Sequence, residues 1–136
     1  MLVAVSSPWA SEKLAAPIAD LARRLDARVL IAHVAQLQEE DEHESDAAQR
    51  GEQTLKMLTD GLIAKGIEAE GVMLFSDDTT KAILNTAHAR QCTLIVLGLT
   101  GRSLLKRLIS GDVPGHLIRQ TDVPVLLCPA SWTGTI

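Results

Sequence analysis

The sequence predicts an α/β fold: an open, five-stranded, mostly parallel sheet in the order 3-2-1-4-5, with helices on both faces. Three observations predict it. Short apolar runs alternate with stretches of helical periodicity four times, and the series closes on a fifth run. That is the pattern of βαβ units joined by right-handed crossovers. Three of the runs, LVAV, VLIAHV and TLIVL, are apolar nearly throughout, as expected for strands covered on both faces. The other two, IEAEGVMLF and VPVLLC, begin polar or contain Pro124, which suits sheet edges. Placing runs one, two and four in the middle gives the order. It reverses between strands one and four, and open α/β sheets bind ligands at such a switch point, beyond the carboxyl ends of the strands.

Residues 2–5 form the first strand, and Ser6, Ser7 and Pro8 break it. Leu14, Ile18, Leu21, Ala22 and Leu25 follow at spacings of three and four, an amphipathic helix with Ser11 as its N-cap. Pro17 either kinks this helix or marks its true first turn. Residues 29–34 are the second strand. Residues 39–46, EEDEHESD, hold six acids and no base. They read as a solvated loop opening the next helix, whose positive end they suit; His43 among them is not assigned to a metal. Leu55, Leu58, Leu62 and Ile63 mark the second helix, which ends near Gly66. Residues 67–75 are the third strand. Asp77, Asp78 and Thr79 cap a third helix carrying Ile83, Leu84 and Ala87. Residues 93–97 are the fourth strand. A long polar loop follows, then a short fourth helix with Val113, Leu117 and Ile118, and a fifth strand over 123–128.

At 136 residues the chain is expected to be one domain, 1–136. Apolar residues make up 46% and charged residues 22%, a folded rather than a disordered balance. Only Trp9, Phe75 and Trp132 are aromatic, so Ala, Leu, Ile and Val must build the core. That scarcity excludes the stacking platforms of single-strand nucleic-acid binders, and a net charge of −4 opposes DNA binding. No run approaches the ~20 apolar residues of a membrane span. MLVAVSSPWA carries no Lys or Arg and is no signal peptide, so a cytoplasmic location is expected. Cys92 and Cys128 belong to no C-x-x-C pair and read as small buried hydrophobes. With strands four and five as parallel neighbours they stand about 20 Å apart, too far for a disulfide.

Two segments line the predicted crevice. Val5, Ser6, Ser7 and Pro8 leave strand one. Leu97 ends strand four, and Gly98 to Val113 leave it. That second segment places Gly98, Gly101 and Gly111 with two and nine residues between them. Glycine permits tight turns and close approach of backbone N–H groups to a ligand. Arg102, Lys106 and Arg107 add positive charge, residues 98–111 contain no acid, and the last glycine leads into a helix N-terminus, which attracts anions. By spacing alone the segment is equally a phosphate cradle or a structural loop. The cations are either a solvated loop face or phosphate contacts; Arg102, directly after the second glycine, is assigned to phosphate. His33, near the carboxyl end of strand two, is either a satisfied core histidine or a nucleoside contact.

The chain resembles the universal stress protein family across nearly its whole length. LVAV, the helix with Ala15, Ala19, Leu21 and Ala22, ARVLIAHV, TLIVLG, the glycine spacing and TDVPVLLCP carry the resemblance. It implies a Rossmann-like sheet of the adenine nucleotide alpha hydrolase kind, which binds ATP (or ADP or AMP, with or without Mg²⁺) in one subclass and no nucleotide in another. The ATP-binding subclass carries the glycine spacing that Gly98, Gly101 and Gly111 match. The resemblance further implies a homodimer through strand 123–128 and an unidentified protein partner. Two positions depart from the family pattern. Ser6 stands where the family has an acid at the end of strand one. Asp112 stands where a hydroxyl would bond phosphate. Its carboxylate either caps the fourth helix, beside a first-turn Pro114, or repels phosphate charge unless a Mg²⁺ bridges the two.

No G-x-S-x-G elbow and no Walker A loop occur. His88 and His116 fall on expected helices, and no nucleophile, base and orienter combine. No catalysis is therefore assigned beyond slow ATP hydrolysis as a side activity. Two function classes remain: an ATP-dependent regulatory module of the stress response, or an interaction protein of the same fold with a vestigial loop. A nucleotidyl-transfer enzyme of a related fold would need a catalytic motif that is absent.

Overall fold

The computed structural model describes residues 1–5, 8–35, 44–99 and 113–129. Among these residues nine elements follow one another: β1 (Leu2–Val5), α1 (Pro8–Leu25), β2 (Val29–Ala35), α2 (Glu44–Ala64), β3 (Ala69–Phe75), α3 (Thr79–Ala89), β4 (Ile95–Leu99), α4 (Val113–Gln120) and β5 (Val125–Pro129). The five strands form one sheet in the order β3-β2-β1-β4-β5. Every pairing is parallel. The fold class and strand order expected from the sequence are those observed.

Two apolar layers fix the helices to the sheet. Alternate strand residues point to opposite faces, and the core divides accordingly. Val3, Val5, Val29, Ile31 and Val96 meet Leu14, Ile18 and Ala22 of α1 and Leu55, Leu58 and Leu62 of α2. Leu2, Leu30, Ala32, Ile95 and Leu97 meet Ile83, Leu84 and Ala87 of α3 and Leu117 of α4. Leu2, Ile18, Ile31, Leu58, Leu62, Ile83, Ile95 and Leu117 are fully buried, each contributing roughly 2 kcal/mol of transfer free energy.

The local signals explain most boundaries. Asp78 caps α3: its Oδ1 accepts from the Lys81 N–H at 3.0 Å, as the sequence predicts, and Ser76 Oγ accepts from the Asp78 N–H at 3.1 Å. Three helices end the same way. Asp26, Gly66 and Gln91 take left-handed φ of 50°, 80° and 55°. The next residue in each case bonds back five positions, Ala27 to Ala22, Ile67 to Leu62 and Cys92 to Ala87, at 2.8–3.0 Å. Each turn closes the helix end and seats a small or apolar side chain against the last turn.

Several expectations are corrected. α1 begins at Pro8, not after Ser11; a proline suits the first helical position because its missing N–H has no partner there in any case. Pro17 is therefore interior to the helix and does not mark its first turn. β4 is displaced two residues, to Ile95–Leu99, and β5 to Val125–Pro129. Pro124 thus precedes its strand, where its carbonyl accepts from the Ile95 N–H at 2.9 Å. β3 starts at Ala69 rather than residue 67. Ile63 and Ile118 are 54% and 49% exposed: each follows a buried leucine by one position, which turns it about 100° out of the core. The acidic loop is described only from Glu44, where α2 begins. Among the described residues, no helix is long and apolar enough to cross a membrane.

Candidate functional site

β1 is the pivot of the sheet. The chain leaves it through α1 on one face, toward β2, whereas β4 on its other side leads through α4 on the opposite face. The crevice of the switch point therefore opens between the carboxyl ends of β1 and β4. Because all strands are parallel, α1 and α4 begin at this same edge, and their N-terminal dipoles favour an anion there.

The register builds a row of residues across the sheet at that edge. Met73 pairs with His33, His33 with Val5, and Gly98 with Cys128. Val3 stands beside Val96 and Ala4 beside Leu97, so the next step sets Val5 beside Gly98. The row Met73, His33, Val5, Gly98, Cys128 thus crosses all five strands on the face covered by α1 and α2. Glycine is its one member without a side chain, and it sits at the crevice.

The row is held from above and within. His33 is half-buried, and its Nδ1 lies 3.0 Å from the Val5 carbonyl oxygen. A carbonyl only accepts, so Nδ1 carries the proton. Helix α2 crosses here at Gly51: a Cβ at that position would come within 2.4 Å of Met73 Cε and 2.7 Å of His33 Cδ2. Cys128 is buried, and burial raises its thiol above the ordinary value, so it stays protonated at neutral pH. Cys92 is half-buried and packs on the α3 side.

The residues named from the sequence divide as follows. Val5 ends β1 and is buried, Pro8 opens α1, and Val113 opens α4. Gly98 lies inside β4, not in the loop beyond it, because the ladder with β5 continues to Leu99 and Pro129. Val5, His33 and Gly98 come together in the row. Leu97 is buried on the other face, in the α3 layer, and does not join them. Ser6, Gly101, Arg102, Lys106, Arg107, Gly111 and Asp112 lie outside the described residues. Sequence reasoning missed Gly51 and Met73. A glycine inside a helix costs about 1 kcal/mol relative to alanine, and that cost was the signal of a close approach at Gly51.

A second concavity, about 590 Å³, lies at the opposite edge of the sheet, lined by Arg28, Glu70, Arg90, Gln91 and Cys92 among others. It is not the site. Helix C-termini face it, which disfavour phosphate. Its Arg90 is already paired with Glu70, Nη2 to Oε1 at 3.0 Å. Among the described residues, no group of three His, Cys, Asp or Glu side chains could hold a metal ion.

Solved structures share this architecture. A universal stress protein from Archaeoglobus fulgidus superposes with a TM-score of 0.72 at 23% identity, over 93% of this chain and 95% of that one. A universal stress protein crystallised in complex with cAMP gives 0.69 at 21% identity, over 96% and 98%. A universal stress protein from Archaeoglobus fulgidus in complex with dAMP gives 0.68 at 20% identity, over 93% and 94%. At these identities the likeness is one of fold. A search of curated proteins returns no significant match. The sequence pattern of the universal stress protein family matches residues 1–129. The chain belongs to the universal stress protein family.

Proposed function

We propose that this protein is a regulatory module that binds an adenine nucleotide, ATP or its di- and monophosphates, in the crevice between β1 and β4. The observation that carries the reading is Gly98 in β4 at the switch point, one step beyond the Ala4–Leu97 pair that joins β4 to β1, with Gly101 and Gly111 following in the sequence at the spacing of a phosphate loop. Two universal stress proteins of the same fold hold cAMP and dAMP, which supports the choice of base. Arg102 contacts phosphate, and occupancy of the loop alters the surface offered to a partner protein. The module works by occupancy in the cytoplasm, with ATP hydrolysis at most a slow side activity. Two copies pair through β5, an edge strand whose Leu126 is 36% exposed; an apolar edge left open invites aggregation.

Calorimetric titration with ATP, ADP and AMP, each with and without Mg²⁺, tests the reading. Saturable heat is expected, weakened by Arg102→Ala. Absence of heat for every nucleotide at millimolar concentration overturns it. Ser6 and Asp112 favour a second reading, an interaction protein of the same fold that has lost nucleotide binding. In the first reading Asp112→Ser relieves repulsion and tightens ATP binding; in the second it changes nothing.

A further inference from the structure

His33 is the one imidazole in the row at the crevice, and its geometry gives it a task other than contacting a ligand. Its Nδ1–H is spent on the Val5 carbonyl, the last carbonyl of β1. The peptide group is planar, so holding that carbonyl fixes the orientation of the peptide group that ends β1. The partners are 28 positions apart in sequence, and the bond joins two neighbouring inner strands, β2 and β1, near their carboxyl ends. The ring cannot swing away. Gly51 of α2 lies against its Cδ2 edge with no room for a Cβ, and Met73 fills the same gap.

We infer that His33 is a positioning residue for nucleotide binding: through Nδ1 it holds the carbonyl that ends β1 at the edge of the crevice. This rests on the proposed function above. It assigns the donor at Nδ1, not the lone pair at Nε2, as the group that matters.

Two amide variants separate the possibilities, since asparagine places an N–H near the Nδ1 position and the longer glutamine places one near Nε2. Titration with ATP is expected to show about tenfold weaker binding for His33→Ala. His33→Asn returns to within about threefold of the parent, and His33→Gln does not. Long-range ¹⁵N–¹H correlation spectra of the unliganded protein should show Nδ1 protonated. Rescue by His33→Gln but not His33→Asn, or an Nε2–H tautomer, overturns the inference while leaving nucleotide binding intact. Absence of ATP binding by the parent overturns the functional reading and this one with it.

Discussion

Gly51→Ala sets two known effects against each other. Alanine is the better helix former by about 1 kcal/mol, and Gly51 lies eight positions into α2 (Glu44–Ala64). By propensity alone the change stabilises. The added Cβ, however, would sit 2.4 Å from Met73 Cε, 2.7 Å from His33 Cδ2 and 3.0 Å from Met73 Sδ. The end of a methionine can move at small cost. The imidazole cannot, because its Nδ1 is bonded to Val5 and its backbone lies in a central strand. Overpacking of this kind costs roughly 1–3 kcal/mol. Crowding therefore wins, with a net loss of about 1 kcal/mol, or roughly 4 °C in midpoint for a domain of this size. Urea denaturation followed by circular dichroism measures it. In a His33→Ala background the same change should be neutral or stabilising, so the two substitutions couple. Stabilisation of the parent by Gly51→Ala would refute the close approach of α2 to the row.

Other substitutions test other parts of the account. Leu117→Ala should cost about 3 kcal/mol and Ile118→Ala less than about 0.5 kcal/mol in chemical denaturation, because one is fully buried and its neighbour half exposed; equal losses would contradict the placement of α4. Gly66→Ala meets no atom within 4 Å, so its expected loss of about 1 kcal/mol is entirely that of a left-handed φ. Gln91→Gly at φ 55° should gain about 0.5 kcal/mol, and a reversed pair of signs in thermal melts would sink the helix-end assignment. The Asp122 carboxyl is lowered from its ordinary 3.8 by the hydrogen bond from His88, then by its own backbone N–H; Nε2 of His88 lies 2.6 Å from Oδ1. A carboxyl depressed in the folded state contributes stability that is present above its unfolded pKa and is lost as pH falls through the folded one. The parent should lose more stability than Asp122→Asn as the pH falls from about 5 through the depressed pKa of this carboxyl, by a small margin that salt removes.

How much of this was legible in the sequence depended on whether the cause was local. β1 and β2 announced themselves because both faces are covered, and Asp78 announced α3 because a cap acts within one turn. The β4 boundary was misplaced because an apolar run reports burial, not pairing: Leu94 packs on the α1 and α2 layer although it precedes the strand. Gly98 reads as a breaker, yet its pairing with Cys128 depends on a strand about 30 residues away. Ile63 and Ile118 fit a helical spacing as well as their buried neighbours do, and only the packed layer decides between them. His33 could be located near the crevice from sequence, but its bond to Val5 joins two strands and leaves no trace in either. The glycine spacing was legible as a motif; Gly98 alone of its three glycines falls among the described residues.

Amide chemical shifts recorded while ATP is added measure most directly where the ligand binds. Shifts concentrated at Val5, His33 and Gly98, with Arg28, Gln91 and Thr93 at the opposite edge of the sheet unmoved, are the predicted result. Perturbation centred on that opposite edge, or none at any residue, would contradict it.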